Sequence, residues 1–182
     1  VDFPYTALFI RQGVCPVDTL PLRRALAAPL TRRRLEEQGL ASTEAVVAVA
    51  GERASRELLE TAKALALSYR YVLLSARGGE EEFARSLRRE YGVSLLLRPA
   101  KEQLDRADAL LLFAPRGDLA LENPILYTLY PGGEAGRGRL PLRLPEALAS
   151  RLEPNCGFEQ LAAALYAMGG LTLETLLAEI SC

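Results

Sequence analysis

The residues that could do chemistry in this chain are arginines, a handful of carboxylates and backbone amides at glycine turns. Histidine is absent from all 182 residues. That removes the usual general base near neutral pH and the commonest zinc ligand, and it excludes Ser-His-Asp and Cys-His mechanisms. Lysine chemistry has two candidates, Lys63 and Lys101. Lys63 falls on a helix with a charged outer face, whereas Lys101 follows a strand and begins a loop from which it could reach a cleft. The cysteines, Cys15, Cys156 and Cys182, are odd in number and far apart, with no CxxC spacing, so they make neither a disulfide framework nor a metal knuckle. Cys156, in Pro154-Asn155-Cys156-Gly157 ahead of a helix, is the one thiol that helix amides could acidify. With no histidine to assist it, a capping or buried loop position explains it better than a nucleophile. Asp105 and Asp108 are three apart around the start of a strand, where an N-cap and a buried turn residue account for them.

Two turns carry the stronger signals. The first is Gly51-Glu52-Arg53, directly after an apolar run. The second is Ser75-Ala76-Arg77-Gly78-Gly79, which opens a helix at Glu80 and so combines a guanidinium, a flexible turn and helix-start amides. Gly51, Glu52, Arg53, Ser75, Arg77, Gly78 and Gly79 are therefore the candidate ligand-binding residues, and a small anion is the ligand class they suit. A solvated arginine in a surface turn is the competing reading for Arg77. No catalytic residue and no metal constellation is identified.

The elements that must position these turns are legible between Val46 and Pro115. Ala45 to Ala50 is a continuous run of small and β-branched residues, the mark of a strand covered on both faces. From Ala54 to Leu67 the apolar positions Ala54, Leu58, Leu59, Ala62, Leu65 and Ala66 recur at intervals of three and four, which predicts an amphipathic helix. Tyr71 to Ser75 predicts a second strand, and Glu80 to Tyr91 a second helix with acids in its first turn and arginines near its end. Gly92 caps it, Val93 to Leu97 predicts a third strand, and a short helical segment with Leu104 leads into a fourth at Ala107–Pro115. Strands alternating with helices imply right-handed βαβ units, hence an α/β, three-layer Rossmann-like sandwich with a mostly parallel sheet.

The order of features over about 70 residues resembles the NADP-binding half of shikimate dehydrogenase and of glutamyl-tRNA reductase. The matching residues are Ala48 to Arg56 at the first turn, Ser75-Ala76-Arg77 at the end of the second strand, and Ala107-Asp108 with Ala114-Pro115 on a later strand. The resemblance implies NADP as cofactor, with Arg77 taking the adenosine 2′-phosphate. The chain departs from that pattern at the first turn, which holds a single glycine and places Glu52 where a diphosphate would lie. A pyrophosphate cradle needs glycines for close backbone approach, and a carboxylate there would cost several kcal/mol in a low-dielectric cleft. The lysine and aspartate that catalyse in shikimate dehydrogenase have no counterpart. No cofactor is therefore expected, with NADP as the alternative.

The remaining chain frames this core. Residues 1–182 read as one Rossmann-like domain, with an irregular or helical segment over 1–44, the βαβ units over 45–115, a long loop over 116–139, and a strand with helices over 140–182. Thr6 to Ile10 reads as an edge strand, and Leu22 to Gln38 as two shorter helices or one helix kinked at Pro29. Tyr127 and Tyr130, in the long loop, could line a pocket or pin the loop to the core. Leu140 to Leu144 reads as a further strand, Phe158 to Met168 as an amphipathic helix, and Thr172 as the cap of a last helix. Leu142, Leu144 and the C-terminal helices could offer a homodimer an apolar face. A start at Val1 suggests that an N-terminal segment is missing.

A net charge of −1 argues against nucleic acid as partner, and basic runs such as Arg32-Arg33-Arg34 and Arg88-Arg89 sit beside glutamates as solvated helix faces do. No apolar run approaches the roughly 20 residues that span a bilayer. A reducing cytoplasm suits the cysteine usage. The residues thus favour a Rossmann-like scaffold without catalysis of its own, binding a small anionic metabolite or a protein. The alternative is an NADP-dependent oxidoreductase domain with an atypical phosphate turn.

Overall fold

The computed structural model describes residues 17–133 and 158–179. The expectations placed on Thr6–Ile10, Cys15, Leu140–Leu144, Cys156 and Cys182 lie outside the described residues. The chain divides into two compact units, residues 23–141 and residues 1–22 with 142–182.

The 23–141 unit is built on five strands: β1 (Val46–Arg53), β2 (Tyr71–Arg77), β3 (Leu96–Leu97), β4 (Ala109–Leu112) and β5 (Ile125–Thr128). Their order is β3-β2-β1-β4-β5, and every neighbouring pair is parallel. Four helices, α1 (Leu20–Glu37), α2 (Arg56–Ala66), α3 (Glu80–Tyr91) and α4 (Lys101–Asp105), precede or link the strands. This is the α/β, three-layer Rossmann-like sandwich that the strand and helix alternation predicts.

The apolar runs form parallel strands because both faces of the sheet are covered. Val47 to Ala50 and Ala109 to Leu112 are fully buried. Strand register sets Val49, Leu74, Leu111 and Tyr127 in one row on the first face. There α2 lays its stripe of Leu58, Ala62, Leu65 and Ala66. The next row, Ala48, Leu73, Leu110 and Leu126, faces the other way into a cluster with Leu104 of α4, Ala107 and Leu119.

Helix α1 is one continuous helix through Pro29, so of the two outcomes the sequence offers, two shorter helices or a kink, the division into two does not occur. The helix is held from outside itself. Leu26, Ala27, Leu30 and Leu35 are buried, and two arginines clamp its first turns to the end of β5. Arg23 Nη2 donates to the Thr128 carbonyl at 2.6 Å and Arg24 Nε to the Leu129 carbonyl at 3.1 Å. Burial of several leucines, at about 2 kcal/mol each, outweighs one lost helical hydrogen bond.

Other boundaries also move. The span expected as loop, 116–139, contains β5, whose four residues are buried against β4. Asn123 fixes the approach to it, its Nδ2 donating to the Leu104 and Ala107 carbonyls at 2.9 and 2.8 Å. Strand β3 keeps only Leu96–Leu97 of the expected Val93–Leu97, because its single neighbour pairs with it only at Leu73 and Leu74. Asp108, expected as a buried turn residue, is only half-buried, its Oδ2 accepting from the Val46 amide at 2.8 Å.

In the other unit, α5 (Phe158–Ala167) and α6 (Leu173–Glu179) are separated by Gly169-Gly170. Thr172 Oγ1 accepts from the Thr175 amide at 3.2 Å, the cap that the sequence predicts.

Candidate functional site

Between β1 and β4 the chain reverses its direction of travel across the sheet. In open parallel sheets ligands bind beyond the carboxyl ends of the strands at such a point. A cleft of about 640 Å³ lies there, lined by residues from the ends of β1, β2, β3 and β4. Its polar lining is Glu52, Ser75, Arg77, Arg98 and Arg116, with Gly51, Pro99 and Pro115 among the remainder.

Strand β1 does not end at Gly51. It runs on to Arg53 with an irregularity in its pairing between Ala50 and Arg53, where Arg53 falls opposite Arg77. Helix α2 starts only at Arg56, with Ser55 Oγ accepting from the Leu58 amide at 3.3 Å and Glu57 in the first turn. The Glu57 carboxyl is held below its ordinary range by its own backbone N–H and then by Ser55. The helix start is thus supplied with acceptors from its own chain. Gly51 has a packing role, since a Cβ there would lie 2.5 Å from Leu58 Cδ1 and 3.3 Å from Phe113 Cβ. Its missing side chain admits α2 against the sheet.

At the end of β2, Arg77 lines the cleft and forms no ion pair among the described residues. The turn after it, Gly78 and Gly79, has positive φ values of 82° and 98° and lies outside the lining. Its Gly78 amide serves Glu80. That side chain is 5% exposed, and its carboxyl is held low first by its own backbone N–H, then by Arg98, with the Gly78 amide contributing.

Arg98 follows β3 in the left-handed region at φ 49°, which a non-glycine residue adopts at a cost on the order of 1 kcal/mol. Its Nη2 donates to Glu80 Oε1 at 3.2 Å and to Glu81 Oε1 at 2.6 Å. Arg116 follows β4. It makes a two-pronged pair with Asp118, Nε to Oδ1 at 2.7 Å and Nη2 to Oδ2 at 2.8 Å. This pair pulls the Asp118 carboxyl down to about 2 and pushes the Arg116 guanidinium up. The remaining nitrogen, Nη1, donates to Ser75 Oγ at 3.3 Å, so Arg116 reaches from the end of β4 across the end of β1 to β2.

Of the residues singled out in the sequence, the fold brings Gly51, Glu52, Ser75 and Arg77 to one cleft and leaves Arg53, Gly78 and Gly79 outside its lining. Arg98 and Arg116 were not anticipated. A signal for them exists, because β1 to β4 each end at or are closely followed by an arginine: Arg53, Arg77, Arg98 and Arg116. Lys101 pairs with Asp105 at 3.0 Å, and Asp105 also accepts from the Ala120 amide at 2.9 Å. Neither lines the cleft. Among the described residues no group of three or more His, Cys, Asp or Glu side chains is placed to hold a metal ion, and no helix is long and apolar enough to cross a membrane.

No protein-family model, curated protein or solved structure matches this chain.

Proposed function

We propose that this protein binds a small polyanionic metabolite in the cleft above β1, β2 and β4, and that it does so as a scaffold without catalysis of its own. The observation that carries the reading is that Arg77, Arg98 and Arg116 line one cleft, Arg116 holding the Ser75 hydroxyl, against Glu52 as the one carboxylate among its described lining residues. Guanidinium groups offer paired donors that match phosphate and carboxylate oxygens. The cleft presents charge and hydrogen-bond donors, and its described lining residues include no cysteine, lysine or tyrosine to serve as nucleophile or proton carrier.

A second reading, an NADP-dependent oxidoreductase domain, has one specific observation in its favour. Ser75 and Arg77 stand at the end of β2 inside the same cleft as Gly51, where the resemblance expects the adenosine 2′-phosphate to be held. The extension of β1 to Arg53 and the self-supplied start of α2 count against it, because a dinucleotide diphosphate would need those amides.

Thermal unfolding separates the two. A ligand at 100 times its dissociation constant stabilises the folded state by about 2.7 kcal/mol, a shift of several degrees for a chain of this size. Inorganic pyrophosphate is expected to raise the midpoint, and Arg77→Ala to remove most of the rise. A rise with NADPH that pyrophosphate and NADH do not reproduce would favour the dehydrogenase reading. No rise with any polyanion would contradict both.

A further inference from the structure

The opposite, amino-terminal end of the sheet holds a second concavity, of about 830 Å³, well within the size range of small-molecule sites. Its origin lies in the unequal covering of the two faces. Helices α2 and α3 follow β1 and β2, but the segment between β3 and β4 contains only the five residues of α4. Register sets Val46, Tyr71, Leu73 and Leu96 on the α4 side of the sheet, and there Tyr71 and Leu96 remain 46% and 47% exposed. The floor of the groove is therefore apolar, from Val46 across Leu73 to Leu96.

The charge of the rim selects among possible occupants. Among the described residues the lining contains two arginines, Arg70 and Arg106, and no carboxylate. Neither arginine forms an ion pair among the described residues. Arg70 is stacked at 5.3 Å over the Tyr71 ring, which holds its guanidinium at the edge of the apolar floor. Gln103 and Ser94 add polar groups to the same lining. An apolar floor under an uncompensated cationic rim is complementary to a molecule with a hydrocarbon body and an anionic head.

We infer that this groove is a binding site for a monomeric amphipathic anion, of the class of long-chain carboxylates, distinct from the polar cleft at the other end of the strands. The hydrocarbon lies over Leu73 and Leu96, and the head group meets Arg70 and Arg106. The site draws on none of the cleft residues, so the two proposals stand or fall separately.

The test uses the full chain and the fluorescent fatty acid 11-(dansylamino)undecanoate, displaced in turn by laurate, dodecanol and dodecyltrimethylammonium. Laurate is expected to displace the probe and the cationic amphiphile to fail. The double variant Arg70→Glu, Arg106→Glu replaces two attractions by two repulsions, and laurate affinity falls about tenfold or more. Leu96→Glu, at an exposed position, abolishes probe binding, while unchanged circular dichroism shows that both variants fold. Equal displacement by anionic and cationic amphiphiles, or indifference to the arginine reversal, would overturn the inference. So would binding to phosphatidylglycerol vesicles with no uptake of monomeric laurate, which would make the groove a membrane contact. A dimer that Leu96→Glu dissociates, with no probe binding by the parent, would assign the groove to a second copy of this chain.

Discussion

Arg77, Arg98 and Arg116 all reach the cleft, yet what holds each charge differs. Arg98 is tied to Glu80 and Glu81 across the start of α3, and Arg116 to Asp118 within its own loop, while Arg77 meets no carboxylate among the described residues. An incoming anion would thus find one arginine ready and two others already oriented, with Ser75 fixed by Arg116. Tyr127 shows the opposite use of a polar side chain. It is buried on the first face of the sheet, and burial pushes its hydroxyl up to about 12, Arg34 opposing the shift slightly. A raised pKa means that the neutral phenol is favoured in the folded state, so its contribution is complete below about pH 10 and is lost as pH rises through about 12. Between those limits the wild-type protein is expected to lose about 3 kcal/mol more stability than Tyr127→Phe. Denaturant unfolding at pH 9, 10.5 and 12 checks this, and parallel losses in the two proteins would refute the assignment.

At the scale of elements, the junction of β1 with α2 decides what the first turn can do. The three residues Gly51-Glu52-Arg53 prolong the strand instead of turning into a helix, and Gly51 is occupied in letting Leu58 close on Phe113. Gly51→Ala is expected to cost about 1–3 kcal/mol through overpacking, because Leu58 is fully buried and has little room to yield. Calorimetry should show a fall of roughly 2–12 °C in the midpoint, partly restored by adding Leu58→Val, which removes the atom that clashes. An unchanged midpoint would mean that the close approach has no energetic weight.

The same junction shows what the sequence could and could not reveal. The apolar runs at Val47 to Ala50 and Ala109 to Leu112 and the helical stripe from Leu58 to Ala66 were legible, since period and burial depend on local pattern. So was the departure at Glu52 from a glycine-rich turn. The path of α1 through Pro29 was not, because the hydrogen bonds that hold it come from residues about a hundred positions away. Strand β5 was hidden by the prolines and glycines around it and by its dependence on pairing with β4. Arg98 and Arg116 are not legible for a related reason: only the parallel strand order β3-β2-β1-β4 brings the arginines at or just beyond the ends of four separate strands to one end of the sheet.

For the whole molecule, the sheet separates two kinds of surface. Its carboxyl end gathers arginines around a small polar cleft, and its amino end leaves an apolar groove where α4 is too short to cover the strands. The central claim concerns the first. Isothermal titration with inorganic pyrophosphate tests it most directly, in the wild type, Arg116→Ala, Asp118→Asn, and Glu122→Gln as a control with the same charge change outside the cleft. Arg116→Ala is expected to weaken binding about tenfold or more, and Asp118→Asn to tighten it about threefold by releasing the guanidinium, with Glu122→Gln close to wild type. Affinities that track net charge alone, or no binding by the wild type, would contradict the account.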